Sequence, residues 1–166
     1  MAATRVLRWP VALLVSAALI ALPLSAVASS GAAVRGGGVV DGPRGLTSQL
    51  GFTATSSGGS FLCVMAGRSG GFPFGPWQNI QQMRVEGRVT PGTLSITDGV
   101  ATFTGTATIH VIGTTASGEF AVTLRDIPFI STQTAGGADL ASHVLDVPGI
   151  GAFAGSLKTG RITIWP

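Results

Sequence analysis

The chain has 166 residues, of which 45% are hydrophobic, only 10% are charged and 25 are glycine. Its formal net charge of +3 comes from scattered lysines and arginines, so there is no basic stripe or run to serve a nucleic acid. A single cysteine excludes an intrachain disulfide framework.

The first 28 residues read as a secretory signal peptide. Arg5 and Arg8 precede an apolar run over residues 11–24, and Ala26-Val27-Ala28 supplies a small-x-small cleavage site. The run is shorter than the ~20 residues a spanning helix needs. Cleavage is expected after Ala28, leaving residues 29–166 as one exported domain without a transmembrane segment. Arg5 and Arg8 leave with the signal, so the mature charge falls to +1.

Beyond residue 28, Gly- and Pro-rich punctuation alternates with short runs of period-2 hydrophobicity. Gly36-Gly37-Gly38 reads as the first such punctuation. No helix follows it, so it is not a phosphate-binding loop. Leu50, Phe52 and Ala54 then alternate with polar or small residues, and residues 60–65 form a further apolar run around Cys63. That setting predicts a buried, unreactive thiol, with pairing to another chain left open. Residues 67–79 form the longest gap. It holds Phe72, Phe74 and Trp77, which either stack on a ligand or fold back as a plug over one end of the core.

Met83, Val85, Gly87 and Val89 alternate with Arg84, Glu86, Arg88 and Thr90. Residues 93–97 and 100–111 flank Asp98-Gly99, a strong hairpin signal. Phe103 and Ile109 lie on one face of the second run, with Thr104 and His110 on the other. Phe120, Val122 and Leu124 repeat the pattern, and residues 140–147, 152–157 and 161–165 are further strands. The expected core includes Phe103, Ile109, Phe120, Val122, Leu124, Ile162, Ile164 and Cys63. Eight or nine strands joined by Gly/Pro turns predict an all-β fold, a single antiparallel β-sandwich or small β-barrel. Parallel βαβ units are excluded because no crossover helix is available.

Val34-Arg35-Gly36-Gly37-Gly38, Ala101-Thr102-Phe103-Thr104-Gly105-Thr106-Ala107, Phe120-Ala121-Val122 before Asp126, and Gly160-Arg161-Ile162-Thr163-Ile164 resemble segments of an uncharacterised family of exported bacterial β-rich domains. The resemblance implies an extracytoplasmic β domain and carries over no catalytic residue. It also implies a turn beginning at Asp126, where this chain continues Ile127-Pro128-Phe129-Ile130.

Catalysis needs titratable groups within reach of one another, and the inventory is thin. Asp139, His143 and Asp146 with Ser142 suggest metal binding or a nucleophile set, but a third ligand is missing and His143 is expected at a surface strand end. Glu86 and Glu119 as a carboxylate pair are better explained by a solvated charged face. No catalytic residue, metal or cofactor is assigned. The expected function is an exported non-enzymatic β domain that binds a ligand or partner or belongs to the cell envelope, with a glycan, a lipid or an envelope component as its partner. The alternative is a small barrel enzyme or lipophilic-ligand carrier with its site in the barrel mouth.

Overall fold

Period-2 alternation sorts side chains onto two faces of a sheet, and closing that sheet turns one face into a core. The computed structural model describes residues 31–67 and 71–166. The expected signal segment, residues 1–28, lies outside the described residues. The strands are β1 (Ala33–Asp41), β2 (Leu46–Thr55), β3 (Gly58–Gly67), β4 (Phe72–Phe74), β5 (Trp77–Val89), β6 (Ser95–Thr97), β7 (Val100–Thr115), β8 (Gly118–Thr134), β9 (Ser142–Val147) and β10 (Gly151–Trp165). A single 3-10 turn, Pro43–Gly45, is the only helical element among the described residues.

Eight strands pair antiparallel in the order β1-β2-β3-β5-β7-β8-β9-β10, and β10 returns to β1. The fold is therefore a closed β-barrel, and the sandwich alternative falls. Two short strands extend the wall, β4 beside β5 and β6 beside β7. Asp98 and Gly99 both have positive φ, 51° and 77°, between β6 and β7, as a type I′ hairpin requires.

The inner face is filled by aromatic rings. Phe61 stacks on Phe129 at 4.9 Å, Phe52 lies 5.6 Å from Phe103, and Phe103 meets Phe129 edge-on at 6.4 Å. Burying each ring contributes roughly 1.5–3 kcal/mol, and the tilted contacts add to that. Phe103, Ile109, Ile162 and Cys63 are all buried, as expected.

Two readings of the pattern need correction. Gly36-Gly37-Gly38 is not punctuation but the middle of β1. A Cβ on Gly36 would stand 2.8 Å from Ile162 Cγ1 and 3.0 Å from Phe52 Cε1. Glycine there lets β1 close over large core side chains. The second correction concerns β8. Phe120, Val122, Leu124 and also Ile164 of β10 are half-buried rather than core.

A bulge explains the behaviour of β8. Ile109 pairs with Leu124 and Ala107 with Ile127, so Arg125 and Asp126 together oppose Thr108. Asp126 takes a φ of 56°, and the expected turn at this residue is a bulge inside a continuous strand. The extra residue shifts the phase. Even-numbered residues face inward before it, and Phe129, Ser131 and Gln133 face inward after it.

Candidate functional site

The bulge aims three residues of β8 at the polar part of the interior. Among the described residues, buried polar side chains are Ser48, Ser131, Gln133 and His143. Gln133 and His143 sit opposite each other in the β8–β9 ladder. Gln133 Nε2 donates to Ser131 Oγ at 2.7 Å and to His143 Nδ1 at 2.8 Å, and Ser131 Oγ donates to the Val144 carbonyl at 3.3 Å. The His143 ring lies 6.0 Å from Phe61 and 6.0 Å from Phe153. Because Nδ1 accepts, Nε2 carries the proton of the neutral ring.

Burial pushes the pKa of His143 down from 6.5 to about 4, since a cation among aromatic rings has lost its hydration. His143 Nε2 and Gln133 Oε1 have no hydrogen-bond partner. Turning the Gln133 amide over exchanges the roles of both residues but still leaves one donor and one acceptor unmatched. His143 is thus not a surface strand end; it points into the barrel, where alternation along Ser142–Val147 sends it.

Asp139, with a φ of 62°, is exposed in the turn before β9, and Asp146 lies on the opposite face of β9 from His143. The three do not converge, and no metal-binding group of His, Cys, Asp and Glu occurs among the described residues. Cys63 Sγ lies 2.9 Å from Ser48 Oγ. Burial drives its pKa from 9.0 up to about 12, partly offset by the Ser48 contact, so the thiol stays protonated at neutral pH.

The outer wall holds a second candidate. Arg35 of β1 pairs with Thr53 of β2 on one side and Thr163 of β10 on the other, and Gly37 pairs with Arg161. Arg35 and Arg161 are diagonal neighbours beside a glycine strip. The result is a groove of about 380 Å³ lined by Arg35, Gly36, Gly37, Phe52, Thr53, Arg161 and Thr163. Arg35 lies over the Trp165 ring at 4.9 Å, a cation–π contact that fixes the guanidinium. Neither arginine has an acidic partner among the described residues. Adjacent like charges without a counter-ion are unfavourable, and guanidinium groups and hydroxyls are the donor types that suit anionic oxygens.

Of the aromatic segment, Phe72 and Phe74 are buried and Trp77 is half-buried. Phe72 pairs with Ile80 and Phe74 with Trp77, and the Phe74 ring lies against Gly151. The segment folds over one end of the barrel. The remaining polar residues lie on the outer wall: His110 Nδ1 meets Thr123 Oγ1 at 3.1 Å, Arg84 pairs with Glu86, and Glu86 and Glu119 stand opposite Thr108 and Thr114 of β7.

Sequence reasoning missed Ser131, Gln133 and the Arg35–Arg161 pair. The first two carried a signal, the alternation Phe129-x-Ser131-x-Gln133, hidden by Pro128 and the phase shift. The arginines carried none, because their proximity arises from β1–β10 closure. No family model, curated protein or solved structure matches the chain.

Proposed function

We propose that the protein is an exported, non-enzymatic binding barrel whose ligand presents an anionic group, a carboxylate or phosphate of an envelope glycan or lipid, to the groove on the outer wall. One observation carries the reading: Arg35 and Arg161 both line a glycine-floored groove and neither has an acidic partner among the described residues. Export rests on residues 1–28 and on the resemblance to exported bacterial β domains. The non-enzymatic part rests on a His143 without an acidic partner and a Cys63 thiol held protonated.

Amide chemical-shift mapping tests it, with oligogalacturonate and with phosphatidylglycerol vesicles as separate probes. Saturable shifts centred on residues 35–37, 51–53 and 161–163, lost in Arg35→Gln/Arg161→Gln, are expected with one of the two. Absence of binding to both, or equal binding by the double variant, overturns the reading.

The carrier alternative is favoured by a different observation, the unmatched donor and acceptor of His143 and Gln133 inside an aromatic wall. A largely apolar ligand with one hydroxyl or carboxyl group would satisfy them by displacing part of the ring packing around His143. Saturable binding of cis-parinaric acid that disappears in Gln133→Leu/His143→Leu supports the carrier; no binding, or binding unaltered by the substitutions, refutes it.

A further inference from the structure

β8 is paired with β7 along its whole length but with β9 only from Ile130 to Gln133. Among the described residues no strand lies on the other edge of residues 118–127. That edge presents a row of backbone N–H and C=O groups, the feature that strand addition uses. Its inward side chains, Phe120, Val122 and Leu124, are only half-buried. Its outward side chains, Glu119, Ala121, Thr123 and Arg125, are exposed.

We propose that this edge is the interface of a twofold-symmetric dimer, in which β8 of a second copy adds antiparallel to β8. The side chains select both the partner and the register. Symmetric pairing about Val122 sets Glu119 opposite Arg125 of the second copy, and Arg125 opposite its Glu119. Phe120 then faces Leu124, Ala121 faces Thr123, and Val122 meets itself. Shifting the centre to Ala121 or Thr123 leaves both charges without an opposite number. Glu119 and Arg125 have no ion-pair partner within the described chain, so the dimer supplies the complement each lacks. Opposite charges directly across an antiparallel pair stabilise it, and like charges destabilise it. The pairable stretch has a definite end. Asp126 departs from extended backbone at a φ of 56°, and Pro128 has no N–H to donate. An isologous contact of this kind closes on itself, so it yields a dimer and no filament.

Sedimentation equilibrium on the full chain tests the proposal. The wild type is expected to dimerise in the micromolar range, with affinity falling as salt rises. Glu119→Arg and Arg125→Glu should each weaken self-association by about tenfold or more, since two opposite-charge pairs become two like-charge pairs. An equimolar mixture of the two variants should restore dimerisation, because the mixed pair again sets opposite charges together at both positions. Circular dichroism confirms that each variant keeps its strand content, and restoration in the mixture separates an interface effect from misfolding. A wild type that stays monomeric, variants that associate as tightly as the wild type, or a mixture that fails to associate each overturns the dimer.

Discussion

Along β8, residues 118–127 have β7 on one side and no described strand on the other, while Ile130–Gln133 are held between β7 and β9. Both stretches alternate, yet the first leaves Phe120, Val122 and Leu124 half-buried, whereas Ser131 and Gln133 in the second, and Phe129 at its threshold, are buried. Alternation determines which way a side chain points. Burial follows from whether a neighbouring strand covers it. The second stretch, being covered, can enclose polar atoms whose hydrogen bonds then become costly to lose.

The contrast breaks most readily at the aromatic positions. Phe129→Ala removes a ring stacked on Phe61 and is expected to cost about 3–5 kcal/mol in urea unfolding. Phe120→Ala should cost only about 1–2 kcal/mol, because less of its area leaves water on folding. Equal costs would mean that the open edge is covered.

Acid should sharpen the difference next. His143 has a folded pKa of about 4 against 6.5 unfolded. Between those values the unfolded chain binds a proton that the native ring refuses. Its contribution is therefore present above about pH 6.5, is lost as the pH falls, and levels off below about pH 4. The loss is on the order of 3 kcal/mol. Subtracting the stability–pH curve of His143→Leu from that of the wild type should isolate it, and a flat difference would place the ring in contact with water.

Gln133→Leu leaves Ser131 Oγ and His143 Nδ1 without the amide donor. A loss of about 1–3 kcal/mol is expected in the same assay. No loss would mean that another group already satisfies those atoms.

The smallest effect concerns the bulge that divides the strand. Asp126→Gly relieves a positive φ and should raise stability by about 0.5–1 kcal/mol. A decrease would show that the Asp126 side chain contributes more than its backbone strain costs.

The all-β class and the buried faces of β2, β7 and the Met83–Val89 part of β5 were legible because each keeps one phase over that length, whereas β5 changes phase between Ile80 and Gln82. Phe52, Met83 and Phe103 fall inside as alternation requires. β1 was not legible, because Gly36, Gly37 and Gly38 are chosen for what packs over them. Gln133 and Ser131 were hidden by the change of phase at Arg125–Asp126. His143 was misassigned for a related reason. Its strand begins only at Ser142, so Asp139 lies outside the alternation, and the charged Asp146 three residues on belongs to the opposite face of the strand.

The ladder between β1 and β10 carries a kinetic consequence. Seven of the barrel's eight seams join strands that follow one another around the meander, whereas β1 must find β10 across the length of the domain. Such a contact bears the largest loop-closure cost and is slow to form. β10 is also synthesised after every other strand of the barrel, so the barrel cannot close until residues 151–165 have been made. Until then β1 offers an open hydrogen-bonding edge, and the glycines that let it fit so tightly also leave it weakly committed to strand structure. The step that limits folding is therefore expected at Gly36–Gly38, where a variant that slows refolding without changing the other seven seams would be found.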